Sequence, residues 1–205
     1  MDEVKDKIID VDFTPTHEVL DLRHELEIMQ FPEIPPAPFM EEITMEDLIL
    51  AKRMVALCKE QKNPDAIGMA ANQLRDLLTG KVIDRRICVL KNGEEWIHAF
   101  NPMIKDKIGK VGNTRETCFS YPGKPILGKR TTSAFVEWID EKGNVKIREF
   151  NGLVAVCWQH EMDHLDGVAP VFANESIKNS EMKMKPNDPC NCGSGKKWKR
   201  CCMRP

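Results

Sequence analysis

The sequence has no long apolar run. Its longest apolar stretch, residues 153–158, falls far short of the roughly 20 residues that a membrane-spanning helix needs. The first residues read MDEVKDKIIDVDF, which is too charged for the apolar core of a signal peptide. We therefore expect a protein that is not inserted into a membrane and that is located in the cytoplasm.

An excess of charge of one sign is also missing. The 205 residues include 30 Lys and Arg against 32 Asp and Glu, for a formal net charge of −2. So balanced a chain has no overall electrostatic reason to bind nucleic acid or an acidic membrane. We expect no sequence-specific nucleic-acid binding, and any such affinity would have to be local.

Cysteine is plentiful, but its distribution argues against a disulfide framework. Four of the eight cysteines lie within the last sixteen residues, and nothing in the sequence points to secretion. Metal binding is the better interpretation of that cluster. Cys58, Cys88 and Cys157 lie among apolar neighbours, and we expect each to be a small buried hydrophobic residue.

The pattern of apolar residues predicts an α+β domain. Residues 44–61 have helical spacing, with a capping-box-like start at Thr44 and Asp47,. The four prolines of residues 31–40 exclude a helix there,. The runs RRICVL, EWIHAFNPMI, TSAFVEWID and NVKIREF predict antiparallel strands, and residues 152–165 predict a second helix,. We expect antiparallel sheets packed around this second helix.

The strongest local motif is QHEMDH, on the second predicted helix. His160 and His164 are four residues apart, so on a helix their imidazoles project from one face and can hold one metal, with Glu161 beside them. Two surface histidines and a solvated glutamate are the ordinary alternative. A zinc endopeptidase is another, but it needs a third ligand downstream, where no histidine and no supporting motif follows,.

Two further blocks precede this motif, and the three together carry a family resemblance. The chain reads AIGMAANQ at residues 66–73, ETCFS at residues 116–120 and QHEMDHLDG at residues 159–167. In this order they resemble the peptide deformylase patterns GxGLAAxQ, EGCLS and QHExDHLxG. Asn101 followed by Pro102 adds a smaller match.

The resemblance implies a site residue by residue. Metal ligands would be Cys118, His160 and His164. Catalytic groups would be Glu161 as general base and acid, with the Gln73 amide and the Phe119 backbone N–H stabilising the oxyanion. Gly68 and Met69 would bind substrate, and the metal would be Fe²⁺, with Ni²⁺ or Zn²⁺ as alternatives. Glu116 and Arg130 are interpreted either as an ion pair that orients the loop around Cys118 or as ordinary surface charges.

Several positions depart from the family patterns. Ala66, Met69 and Asn72 differ in the first block, Thr117 and Phe119 differ in the second, and Val156 differs just before the third. Thr117 would be strained if its backbone needed a positive φ. None of these changes removes an expected ligand, the base or the oxyanion glutamine, so we expect the reaction to survive with altered efficiency or peptide preference.

The end of the chain resembles the SEC-C zinc motif, C-x-C-x8-C-C. Its four cysteines, Cys190, Cys192, Cys201 and Cys202, would close a tetrahedral site around one structural zinc. The nearby basic residues, of which Lys197 and Arg200 are two, provide either solubility or a contact with the ribosome or an export chaperone.

The sequence thus predicts three parts and one activity. The parts are a deformylase domain at residues 1–175, a linker at residues 176–186 and a zinc-binding tail at residues 187–205. The activity is metal-dependent hydrolysis that removes the formyl group from the N-terminal formyl-methionine of new proteins and releases formate. A non-catalytic protein of the same fold, docking to ribosome or chaperone through its tail, is the alternative.

Overall fold

Two helices and seven strands make up the described part of the protein. The computed structural model describes residues 26–30, 34–61 and 67–172, together with residues 197 and 200. The strands are β1 (Leu26–Ile28), β2 (Gly68–Ala70), β3 (Leu74–Asp76), β4 (Ile87–Asn92), β5 (Glu95–Glu116), β6 (Ile126–Ile139) and β7 (Val145–Asn151). The helices are α1 (Met45–Glu60) and α2 (Gly152–Leu165), and a 3-10 turn at Ala71–Gln73 joins β2 to β3.

All strand pairings are antiparallel. Strands β2-β4-β5-β6-β7 form a five-stranded sheet in that order, and β1 pairs with β3 in a separate ribbon. Strand β2 therefore lies at one edge of the main sheet, immediately before the 3-10 turn.

Strand β4, which lies between the edge strand β2 and strand β5, is buried on both faces, and a helix covers each face. Cys88 and Leu90 belong to the core cluster that includes Trp158 of α2. Ile87 and Val89 belong to the cluster that includes Leu48 and Met54 of α1. Side chains alternate across a strand, so consecutive residues of β4 face the two helices in turn. This packing holds α2 against the sheet and in contact with the 3-10 turn.

The predicted α+β class and antiparallel sheet are confirmed. Helix α1 begins after Thr44, whose side chain forms the expected capping box with Asp47, and residues 34–40 are non-helical. The burial expected for Cys58, Cys88 and Cys157 is found, at 3%, 0% and 8% exposure. Residues 31–33 of the proline-rich segment lie outside the described residues.

Sequence patterns missed the shortest elements. Strands β1, β2 and β3 have three residues each, too few to show an alternation, and strand β5 continues twelve residues beyond the predicted run, to Glu116. Among the described residues, no helix combines the length and apolar character needed to cross a membrane.

Candidate metal centre

Three predicted ligands converge in space. One ligand atom from each of Cys118, His160 and His164 lies within 4.8 Å of the others. The Cys118 Sγ and His164 Nε2 atoms are 3.2 Å apart, and the two histidine Nε2 atoms are 3.1 Å apart. One thiolate and two imidazoles are a donor set that suits a divalent transition metal. The third member, Cys118, comes from upstream, two residues beyond the end of β5, so a downstream ligand is not needed.

Glu116 orients His160. Its Oε2 atom lies 2.7 Å from His160 Nδ1, and both of its oxygens accept hydrogen bonds from Arg130, at 2.8 and 2.9 Å. Burial raises the pKa of Glu116, but hydrogen bonds from His160 and Arg130 outweigh it and lower the pKa to about 2. The ionised carboxylate therefore accepts a hydrogen bond from Nδ1–H, which turns the Nε2 side of the ring toward the shared centre.

The ion pair between Glu116 and Arg130, one of two interpretations open from the sequence, is present and buried. Each side chain is 8% exposed, and Arg130 also bonds Asp163 at 2.5 Å. Because Asp163 lies on α2 between the two histidines, Arg130 links β6 to the ligand-bearing helix as well as to the end of β5.

Gln73 is aimed at Cys118. Its Oε1 accepts a hydrogen bond from the Ala70 backbone N–H at 2.9 Å, and its Nε2 donates to Ser120 Oγ at 3.0 Å and to Cys118 Sγ at 3.3 Å. The bond from Ala70 fixes which end of the amide faces the centre. Sequence reasoning did not single out Ser120, although it is the last residue of the ETCFS block.

Glu161 lies next to the ligands in an apolar setting. It is 3% exposed, and its Oε1 accepts a long contact from the Cys157 thiol at 3.8 Å, while no group of the described residues bonds its Oε2. Burial raises the pKa of Glu161 to about 7. Burial also lowers the pKa of His164, with the charge of His160 adding to the effect, which favours the neutral imidazole at this position.

Gly68 leaves room for that glutamate. A Cβ atom at Gly68 would lie 2.6 Å from Glu161 Oε1 and 2.7 Å from Cys157 Sγ, well inside van der Waals contact. The absent side chain therefore accommodates the carboxyl group. The next residue, Met69, is 0% exposed within the core beneath α1, so a peptide would meet its backbone and not its side chain.

The departures in the second block cause no backbone strain. Asn101 is the one non-glycine residue of the described ranges with a positive φ, at 48°, so Thr117 is not in the left-handed region. Thr117 is exposed, and Phe119 is partly buried against the core beneath α1. Ala66 and the four tail cysteines, Cys190, Cys192, Cys201 and Cys202, lie outside the described residues.

Comparison with known families identifies the fold around this centre. Residues 36–180 match the family model described as polypeptide deformylase. The chain belongs to the polypeptide deformylase family. Deformylases are metal-dependent enzymes, which agrees with the Cys/His group of the structure. Residues 187–204 match the SEC-C motif, so both resemblances seen in the sequence are confirmed.

Individual deformylases are similar over most of the chain. A peptide deformylase of Neisseria meningitidis is 28% identical over 163 residues, which cover 78% of this chain and 93% of that protein. A crystal structure of a peptide deformylase from Synechococcus elongatus in complex with actinonin has a TM-score of 0.60 at 27% identity, covering 69% of this chain and 76% of that one. One from Legionella pneumophila has a TM-score of 0.57 at 26% identity, covering 69% and 80%.

Proposed function

We propose that this deformylase hydrolyses the N-terminal formyl group of formyl-methionyl peptides and releases formate. The observation that carries the proposal is the convergence of Cys118, His160 and His164 within 4.8 Å, beside the buried Glu161 and the Gln73 amide. A scaffold that only docks partners needs neither a buried base nor an amide donor directed at the centre. No feature of the described residues favours the non-catalytic alternative.

Cys118, His160 and His164 would hold the metal. Fe²⁺ is the ion we propose, and Ni²⁺ and Zn²⁺ suit the same mixture of thiolate and imidazole. When bound, a divalent metal supplies a Lewis acid that makes water more acidic and polarises a carbonyl group. The buried ion pair of Glu116 with Arg130 supports this assignment because it keeps His160 in the orientation that a ligand needs.

Glu161 would move the proton. A carboxyl group whose pKa is raised by burial to about 7 can accept a proton from water and return it to the departing amine near neutral pH. Gln73 and the Phe119 N–H would stabilise negative charge on the formyl oxygen. Support for Gln73 comes from its Nε2, which lies 3.3 Å from Cys118 Sγ and is held there by Ser120,.

The peptide would lie along β2. This strand pairs with β4 on one side and forms the edge of the main sheet, so its backbone at Gly68 and Met69 can pair with an extended chain. Since Gly68 is also packed against Glu161, the start of such a peptide would lie beside the base.

We propose that the tail binds one structural zinc through Cys190, Cys192, Cys201 and Cys202 and docks to the ribosome or to an export chaperone. The SEC-C match supports the zinc, since four thiolates close a tetrahedral site,. Lys197 and Arg200 are exposed, which supports contact with an acidic partner. Such docking would bring the enzyme close to its formylated substrates.

The main test is formate release from formyl-Met-Ala-Ser by protein purified without oxygen and supplied with Fe²⁺ or Ni²⁺, beside Glu161→Ala. We expect the parent to release formate and the variant to lose at least about a hundredfold in rate while keeping its metal. A metal-loaded parent that releases no formate would refute the proposed activity and revive the docking scaffold. A fully active variant would instead refute the role of Glu161.

A further inference from the structure

The side chain of Asn72 bridges two backbone carbonyls near the metal centre. It is 0% exposed, and its Nδ2 donates to the His164 carbonyl at 2.5 Å and to the Pro35 carbonyl at 2.8 Å. The first of these carbonyls belongs to one of the three residues that converge at the centre. Asn72 is separated from His164 by 92 positions, so this contact exists only in the folded chain.

The orientation of the amide is set by its neighbours. Both hydrogens of Nδ2 are used by carbonyl oxygens, whereas the buried Oδ1 has no hydrogen-bond partner in the described part of the chain. Rotating the amide by 180° would place Oδ1 against two carbonyl oxygens and leave Nδ2 unpaired, so that both hydrogen bonds would be lost. The two carbonyls thus require two N–H donors, and the Asn72 amide supplies both. Leaving its Oδ1 buried and unpaired lowers the stability of the fold.

The bridge joins two parts of the molecule that are packed tightly together. Beyond Asn72, the Ala37 N–H donates to the Leu165 carbonyl at 2.8 Å. Gly167, with φ at +68°, lies so close to Pro36 that a Cβ would be 2.9 Å from the proline ring. The last turn of α2 therefore packs on residues 35–37, and the Asn72 side chain adds a hydrogen bond to the backbone carbonyl of His164.

Asn72 and Gln73 are neighbours in the 3-10 turn, and their side chains bond two different predicted ligands. Asn72 bonds the backbone of His164, and Gln73 bonds Sγ of Cys118. The short turn Ala71–Gln73 therefore contacts two predicted ligands, Cys118 and His164, whose ligand atoms are 3.2 Å apart. The third, His160, is oriented separately by Glu116.

We infer that Asn72 is a positioning residue of the metal centre: it holds the backbone of His164 so that the imidazole Nε2 stays 3.2 Å from Cys118 Sγ. The inference rests on the proposed metal site. Asn72 is not one of the three residues whose ligand atoms converge, and it acts through His164. Its effect should appear in how the metal is held, before any effect on peptide binding.

The experiment loads the full-length protein with Co²⁺ and records two properties, the visible spectrum and the rate of Co²⁺ loss to a chelator. Asn72→Asp has the same shape but loses both donors. The matched control is Asn101→Asp. The Asn101 amide also bonds backbone groups, donating to the Met40 carbonyl and accepting from the Met40 N–H, each at 2.8 Å. Neither of these bonds involves a predicted ligand. Asn72→Ser keeps one donor.

We expect Asn72→Asp to shift the thiolate-to-cobalt and d–d bands and to release Co²⁺ about tenfold faster or more, with Asn101→Asp within about twofold of the parent. Asn72→Ser should be intermediate, and it carries the test if Asn72→Asp does not fold. A folded Asn72 variant with the spectrum and release rate of the parent would overturn the inference. Failure of the parent to bind Co²⁺ would instead refute the metal site.

Discussion

At the scale of single residues, position 68 next to the candidate base has no room for a side chain. Here the carboxyl of Glu161 and the thiol of Cys157 occupy the volume in which any other residue would carry its Cβ. A buried carboxyl with one unpartnered oxygen is held by packing more than by hydrogen bonds. Its position is therefore sensitive to small steric changes.

Replacement of Gly68 by Ala should displace Glu161. Since a misplacement of about 1 Å can cost up to about a hundredfold in rate, we expect Gly68→Ala to lower kcat by at least about tenfold and to leave the metal content unchanged. Kinetics on formyl-Met-Ala-Ser and metal analysis of the same sample measure both. Gly112→Ala is the control, because a Cβ there meets nothing within 4 Å. Equal rates for the two variants would contradict the steric argument.

At the scale of elements, the start of α1 is fixed by a charged cap. Asp47 accepts from the Thr44 N–H at 2.8 Å, and Arg85 donates to its Oδ1 at 2.6 Å. Burial raises the pKa of Asp47, but the bonds from Arg85 and Thr44 outweigh it, so the pKa is lowered from its ordinary 3.8. A lowered folded pKa means that the carboxylate stabilises the fold above the unfolded pKa and that this contribution is lost as pH falls.

Asp47→Asn should reveal that pH dependence. Near neutral pH we expect the free energy of unfolding of the variant to be about 1 kcal/mol lower than that of the parent, a loss typical of helix-capping interactions. The difference should begin to shrink as the pH falls through about 4, where the unfolded chain takes up a proton, and should be lost once the pH is below the lowered pKa of the folded state. Urea unfolding followed by circular dichroism across this range measures it. A difference that stays constant with pH would show that the charge of Asp47 does not contribute.

Helix α1 was predicted from the sequence, whereas the three shortest strands were not. Thr44 and the apolar spacing after it predicted α1 because capping and helical periodicity are local, within about one turn. The strands β1 to β3 were missed because three residues carry no period, and each exists through partners far along the chain: Ala70 pairs with Cys88, and Ile28 pairs with Leu74.

For the molecule as a whole, the deformylase region and the tail are separate sequence motifs. The family match ends at residue 180 and the SEC-C match begins at residue 187. A closed four-thiolate site has no open position for chemistry, so the zinc that we propose for the tail should matter for the proposed docking and not for hydrolysis.

Cys192→Ser should separate those roles. We expect it to lower bound zinc by about one ion per chain, to leave formate release from formyl-Met-Ala-Ser unchanged, and to abolish co-sedimentation with ribosomes or capture of the export chaperone. Cys58→Ala, which removes a buried thiol from the core beneath α1, is the control and should keep the zinc. Unchanged zinc in Cys192→Ser would contradict the assignment of this ligand, and lost formate release would contradict the separation.

The sequence by itself determined the class of fold, the helix that carries His160 and His164, and the family, because these depend on local periodicity and on motifs read along the chain. The four-residue spacing of the histidines is enough to place both on one face of a helix. Only the tertiary structure decided how the site is assembled. Cys118 lies 46 positions from His164, Glu116 lies 44 from His160, and Asn72 lies 92 from the carbonyl it binds. Such contacts follow from how α2 packs against the sheet and the 3-10 turn, and no local pattern encodes that packing.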